Sequence, residues 1–204
     1  CYPHQQDGRP RHILETSKMT ENTVRIPPLD PAEFSPEQKE VVGDWGVLNF
    51  SRVLARHPAL YRVFVPFIEK VISFTDLPPW DREVLVIRAL DQCGDVYEAS
   101  HHVDIAYKVG MTDAQIAAVK AGGADLSEFD RCLIRAADEL VHEHCVSDAT
   151  WQALAERYST IELMEVVGLV GCYTTIAMVT RSFEMQMESK DDVARELAAL
   201  RTYT

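Results

Sequence analysis

From Ser35 to Met187 the apolar residues of this 204-residue chain recur at helical spacing, and no alternating strand pattern interrupts them. That limits the fold to helices packed on helices, because each apolar stripe must be buried against another element. Capping chemistry marks two of the starts. Ser35-Pro36-Glu37-Gln38 sets a serine N-cap before proline with glutamine at the third helical position, and Thr112-Asp113-Ala114-Gln115 repeats the box. Leu60, Val63, Phe64, Phe67, Ile68, Val71 and Ile72 predict a broad core-facing stripe, with Pro66 kinking or splitting that helix. Leu77-Pro78-Pro79 breaks the chain, Trp80 to Leu90 resumes it, and Cys93-Gly94 ends it.

Further helices are predicted from Asp95 to Val109, stopped by Gly110, from Thr112 to Ala121, and near Glu128–His142, Asp148–Tyr158 and Ile161–Met187. A hydrophobic content of 47% with 25% charged residues suits one soluble domain with a sizeable core. The expectation is therefore all-α, a single-domain helical bundle over residues 35–187. Residues 19–34 form an N-terminal arm and 188–204 a partly helical tail. Cys1 to Lys18 is polar and aperiodic, and Met19 opens a stretch like an ordinary start, so residues 1–18 are expected to be a disordered or foreign extension.

A formal net charge of −12 argues against nucleic acid, since phosphate binding relies on clustered Lys and Arg. The five cysteines are widely spaced, form no Cys-x-x-Cys pair, and fit a reducing, cytoplasmic setting. Val166 to Val179 is the most apolar run, and by its length it reads as a core helix and not a membrane span. No secretory pattern opens the chain. Gly168 and Gly171 fit close helix packing, while Met164, Met178, Met185 and Met187 suit irregular core or subunit contacts.

The chemistry concentrates in Arg82 to His102. Glu98 and His102 stand four residues apart on a predicted helix and so share one face, where a carboxylate beside an imidazole makes a proton-transfer unit. A structural alternative uses the same residues: Asp95 as N-cap and Glu98 as the third helical residue reaching back to the Asp95 amide. His101 points about 100° away from His102, so spacing selects His102. Glu83 occupies an otherwise apolar helix, but near its start, where acidic residues complement the dipole. His142-Glu143-His144-Cys145 offers metal-ligand types without tetrahedral-site spacing, and no metal is expected there.

Arg82 to Gly110, with Glu83, the Tyr97-Glu98 pair and His102, resembles the carboxymuconolactone decarboxylase family, which includes the alkylhydroperoxidase D-like proteins. Ser147-Asp148-Ala149-Thr150-Trp151 through Val170-Gly171-Cys172-Tyr173-Thr174-Thr175 is also similar, so that the likeness covers residues 35–187. In the family's peroxidase branch a Glu precedes a Cys-x-x-Cys-x-x-x-His motif. Matching it here puts Asp95 and Glu98 in the thiol slots, His102 in the histidine slot and Glu83 at the upstream acid. Cys93 has no partner at the required spacing, which argues against disulfide-cycling peroxidase chemistry.

The Tyr-Glu-x-x-x-His version is like that of the decarboxylase branch, which implies cofactor-free loss of CO₂ from a small carboxylated lactone. On that resemblance His102, Glu98 and Glu83 are the expected catalytic residues, with His102 donating a proton with help from Glu98 and Glu83 orienting it or relaying the proton. Tyr97 and Arg88 are the expected substrate contacts, and no cofactor is expected. Isomerisation or lactone opening would use the same groups, and a thiol-dependent hydroperoxide reductase or a non-catalytic oligomer are the other classes. Family habit also implies a homo-oligomer, a dimer, trimer or hexamer.

Overall fold

Among the described residues, 24–43 and 48–188, the computed structural model contains helices and no strands. A 3-10 turn at Pro31–Glu33 precedes α1 (Pro36–Val42), α2 (Asn49–Leu54), α3 (Pro58–Ser73), α4 (Pro79–Cys93) and α5 (Tyr97–Lys108). Then come α6 (Asp113–Lys120), α7 (Glu128–His142), α8 (Asp148–Ala155) and α9 (Thr160–Phe183). The expectations for residues 1–18 and for the tail beyond Glu188 lie outside the described residues. The predicted capping boxes at Ser35 and Thr112 form, with reciprocal bonds to Gln38 and Gln115.

The all-α architecture is built around α4, which packs against α5, α6, α7 and α9. A helix touched from so many sides must bury residues all round its circumference, and α4 buries Val84, Leu85, Val86, Ile87, Ala89 and Leu90 together with Asp81, Arg82 and Glu83. Three consecutive charged residues inside a protein require partners, because an unpaired buried charge costs several kcal/mol or about that order. Asp81 accepts from the Tyr158 hydroxyl at 2.6 Å and faces Arg157, while Arg82 and Glu83 pair with each other.

Two expectations are corrected. Pro66 does not split its helix: α3 runs unbroken from Pro58 to Ser73. The stripe assigned to its core face is only partly core, since Val71 and Ile72 are buried but Val63 is 68% exposed and Leu60 and Phe67 are also exposed. Periodicity identifies an apolar face without saying what covers it. The final helix is longer than the apolar run within it and, by length and composition alone, could cross a membrane, yet half of its most apolar window is buried against the rest of the fold. It packs on α3, α4, α5, α7 and α8 as the core helix anticipated.

That helix ends short of Met187, at Glu184 in the left-handed region with φ of 55°. The amide of Met185 returns to the Thr180 carbonyl at 2.9 Å, closing the last turn. Residues 185–188 then run back across the start of α5. The segment before α1 lies beside this end of α9, the Ile26 amide donating to the Phe183 carbonyl, and it is tied down by Arg52, whose Nε donates to the Leu29 carbonyl, and by Arg56, which donates to Pro27.

Candidate functional site

The turn between α4 and α5 fixes the geometry. Gly94, at φ 65° and ψ 31°, ends α4, and the Asp95 amide donates to the Leu90 carbonyl at 3.0 Å. An L-residue strains at that backbone conformation, whereas glycine does not. The turn sends α5 back along α4, so residues far apart in sequence face each other.

Glu83 and His102 meet across this pair of helices. His102 Nδ1 lies 2.7 Å from Glu83 Oε2, and His102 Nε2 lies 2.7 Å from the hydroxyl of Tyr173 on α9. Arg82 Nε donates to the other Glu83 oxygen at 2.9 Å, and Arg82 Nη1 donates to the Ile72 carbonyl at 2.8 Å. All four side chains are buried, with Glu83 fully enclosed. Arg82 balances the Glu83 charge, which makes a buried carboxylate tenable here. A carboxylate can only accept, so in the neutral imidazole the proton sits on Nδ1 and Nε2 is left to accept from Tyr173.

Spacing paired His102 with Glu98, and here the geometry differs. Both ring nitrogens of His102 are engaged, by Glu83 and Tyr173, so Glu98 is a neighbour in charge and not its hydrogen-bond partner. Nor does Glu98 reach back to cap the helix, since the Asp95 amide already serves Leu90. The cap runs one way: Asp95 Oδ1 accepts from the Glu98 amide at 3.1 Å, and Thr180 donates its hydroxyl to the other Asp95 oxygen. The half-buried Glu98 carboxyl is pushed up by burial, against the pull of His101 and His102 and with reinforcement from Asp95 and Glu188.

His101 turns the other way, to Glu188, at 3.2 Å. Tyr97 donates its hydroxyl to the same carboxylate and accepts from the Phe50 amide at 3.0 Å. Burial would push Glu188 up, but His101, Tyr97 and the Asn49 amide outweigh it and hold the carboxyl below its ordinary value. His101 is correspondingly held up: burial opposes its charge, and Glu188 and Glu98 more than offset that.

Arg88 is not brought to this cluster. Five residues beyond Glu83, it leaves α4 on another side and forms a two-point pair with Asp138 of α7, at 2.6 and 3.0 Å, with a further bond to the Lys120 carbonyl. The neighbouring thiols are not poised as nucleophiles: Cys172 is pushed up to about 12 by burial and then by Glu98, and burial likewise raises Cys93. His142 Nε2 pairs with Gln92 Oε1 at 3.0 Å.

Residues 58–143 match the family model described as Carboxymuconolactone decarboxylase family. Over that segment the chain is similar to the carboxymuconolactone decarboxylase family. The fold agrees: the alkylhydroperoxidase AhpD core of a peroxidase-related protein from Ralstonia eutropha superposes with a TM-score of 0.69 at 18% identity, over 83% of this chain and 94% of that one. The debrominase Bmp8 superposes with a TM-score of 0.68 at 16% identity, over 84% and 97%. Among curated proteins, transcription antitermination protein NusB of Bordetella pertussis is 29% identical over 100 residues, 49% of this chain. The chain spans 56% of the length of that relative.

Three site residues escaped the sequence. Arg82 was visible only as a charge beside Glu83 in an apolar helix. Tyr173 was hidden in the most apolar run, where an aromatic reads as core. Glu188 lay in the stretch taken for a tail, with no local signal.

Proposed function

We propose that this protein is a cofactor-free acid/base enzyme acting on a small carboxylated or lactone-type molecule, as a decarboxylase, in the cytoplasm. The observation that carries the proposal is the buried Arg82–Glu83–His102–Tyr173 chain lying beside a half-buried carboxyl, Glu98, whose protonated form its surroundings favour. Perturbed carboxyls next to fixed imidazoles are characteristic of proton-transfer sites.

In the reaction, the bond from the substrate carbon to its carboxylate breaks, and the electron pair passes to that carbon, spread over an adjacent carbonyl as an enolate. Glu98 delivers a proton to the carbon and is left as carboxylate, to be reprotonated from water. His102 is the positioning and charge-stabilising residue: Glu83 and Tyr173 hold its ring, and its field favours the Glu98 anion as it forms. This moves the terminal proton from His102, as spacing first placed it, to Glu98, because both His102 nitrogens have partners. General acid catalysis contributes roughly 10²–10⁴-fold, and positioning supplies much of the remainder.

Two further features support the reading. The formal charge of −12 favours a small-molecule role over a transcription role carried from the partial likeness to NusB. The exposed apolar faces of α3 and α9, with Val63, Phe67, Ile161, Met164, Val167 and Met178, suit burial against a second copy and support a homo-oligomer.

The test is CO₂ release from a panel of carboxylated lactones and β-keto acids, with mass spectrometry of the products. Glu98→Gln and His102→Ala are expected to lose at least about 10²-fold in kcat on any substrate the parent turns over. Full activity in both variants would remove these residues from the mechanism. A product of unchanged mass would replace decarboxylation by isomerisation.

A further inference from the structure

The carboxylate of Glu188 sits in a cradle that belongs to other parts of the fold. One oxygen accepts from the Tyr97 hydroxyl and from the Asn49 amide, and the other faces His101 Nε2 at 3.2 Å. Tyr97, His101 and Asn49 are all buried, and the Glu188 side chain is only 2% exposed. Because Tyr97 accepts from the Phe50 amide at 3.0 Å, its own hydrogen is directed at the carboxylate. Donors thus converge on a carboxylate from the start of α2 and from α5: the Asn49 donor is fixed in the backbone, Tyr97 is held by the Phe50 amide, and His101 packs edge-on against the Tyr97 ring. Such prearranged donors recognise the carboxylate group and not the chain that carries it.

Glu188 arrives on an extended four-residue strap after α9, whose other tie at this point is the Asn49 side-chain amide donating to the Gln186 carbonyl at 2.9 Å. The cradle also adjoins the acid/base groups: Tyr97 precedes Glu98, His101 precedes His102, and Glu98 feels both His101 and Glu188.

We propose that Tyr97, His101 and the Asn49 amide form a carboxylate-binding subsite for a small organic acid, and that Glu188 is its intramolecular occupant, displaced when the ligand's carboxylate enters. The inference rests on the reading of the protein as an enzyme for small carboxylated molecules and adds where that carboxylate is held. Exchange of one carboxylate for another keeps the charge facing His101 unchanged. A tethered occupant competes at a high effective concentration, so the parent binds free acids more weakly than its cradle would alone.

The experiment is titration of the full chain with benzoate, and with uncharged benzamide as control, by calorimetry and by NMR of the His101 ring. Glu188→Ala is expected to bind benzoate at least ~10-fold more tightly than the parent. Benzamide should bind neither protein, and adding His101→Ala should abolish the gain. A folded Glu188→Ala that binds benzoate no better than the parent would overturn the proposal, as would a gain indifferent to His101. If Glu188→Ala fails to fold, Glu188→Gln serves, with a smaller gain expected and no gain counting against the subsite. Because binding is read without turnover, loss of this subsite and loss of the decarboxylase assignment are separate outcomes.

Discussion

Glu83 and His102 are nineteen residues apart in sequence and 2.7 Å apart in space, joined by a hydrogen bond that is closed to solvent. The bond depends on the Gly94 turn, which lays α5 back along α4, and on Arg82, which supplies the opposite charge. Removing the carboxylate therefore disturbs two partners at once.

Glu83→Gln is expected to lower the stability of the folded protein by about 3–5 kcal/mol, since it removes the buried carboxylate that faces both Arg82 and His102. Urea unfolding followed by circular dichroism measures this. The double variant Arg82→Met/Glu83→Gln should be less destabilised than Glu83→Gln alone. A double variant worse than the single one would show that Arg82 is held chiefly by something other than Glu83.

Tyr173→Phe keeps the ring that packs edge-on against His102, with centroids 4.8 Å apart, and deletes only the hydroxyl. Stability should fall by about 0.5–1.5 kcal/mol, the net worth of a hydrogen bond. Activity should fall further than stability does, by roughly 10-fold or more if the hydroxyl fixes the imidazole for its role beside Glu98. Equal kcat and KM in the parent and this variant would separate Tyr173 from the mechanism.

Glu98 makes a pH prediction of definite sign. Its carboxyl is raised in the folded protein, mainly by burial, so the folded state binds this proton more tightly than the unfolded chain. The contribution is fully present below the unfolded carboxylate value and is lost as pH rises through the folded one. Glu98→Gln should therefore gain stability over the parent as pH rises above the unfolded carboxylate value. The advantage should vanish near pH 4. Thermal melts of both proteins across that range decide it, and a constant difference would contradict the raised carboxyl.

Arg88→Met tests a residue whose partners are structural. With Asp138 partly exposed, the loss should be about 1–2 kcal/mol, below the full value for a charged hydrogen bond. KM for any substrate should be unchanged. A selective rise in KM with intact stability would return Arg88 to the substrate.

The helical architecture was legible because periodicity, capping residues and the Gly94 and Gly110 stops all report on local geometry. His102 was legible for the same reason, along with the acidic residues near it. What spacing could not do was choose between Glu83 and Glu98, because an i,i+4 relation is visible in sequence while a contact across two helices is not. Arg88 illustrates the converse: an arginine near a site invites a ligand role until its distant carboxylate, fifty residues on, is seen. The outward stripe of α3 misled because an apolar face looks the same whether core or neighbour covers it.

Asp95 and Glu98 occupy equivalent slots in the sequence pattern, but the fold treats them differently. Asp95 holds the Glu98 amide with one oxygen and Thr180 with the other, so it staples the start of α5 to α9. The Glu98 side chain carries no such duty toward the Asp95 amide. Exchanging the two for cysteine is consequently not a symmetric operation: position 98 is open to new chemistry at small structural cost, whereas position 95 is mortgaged to the scaffold, and a dithiol would have to be installed against the fold at one end and with it at the other.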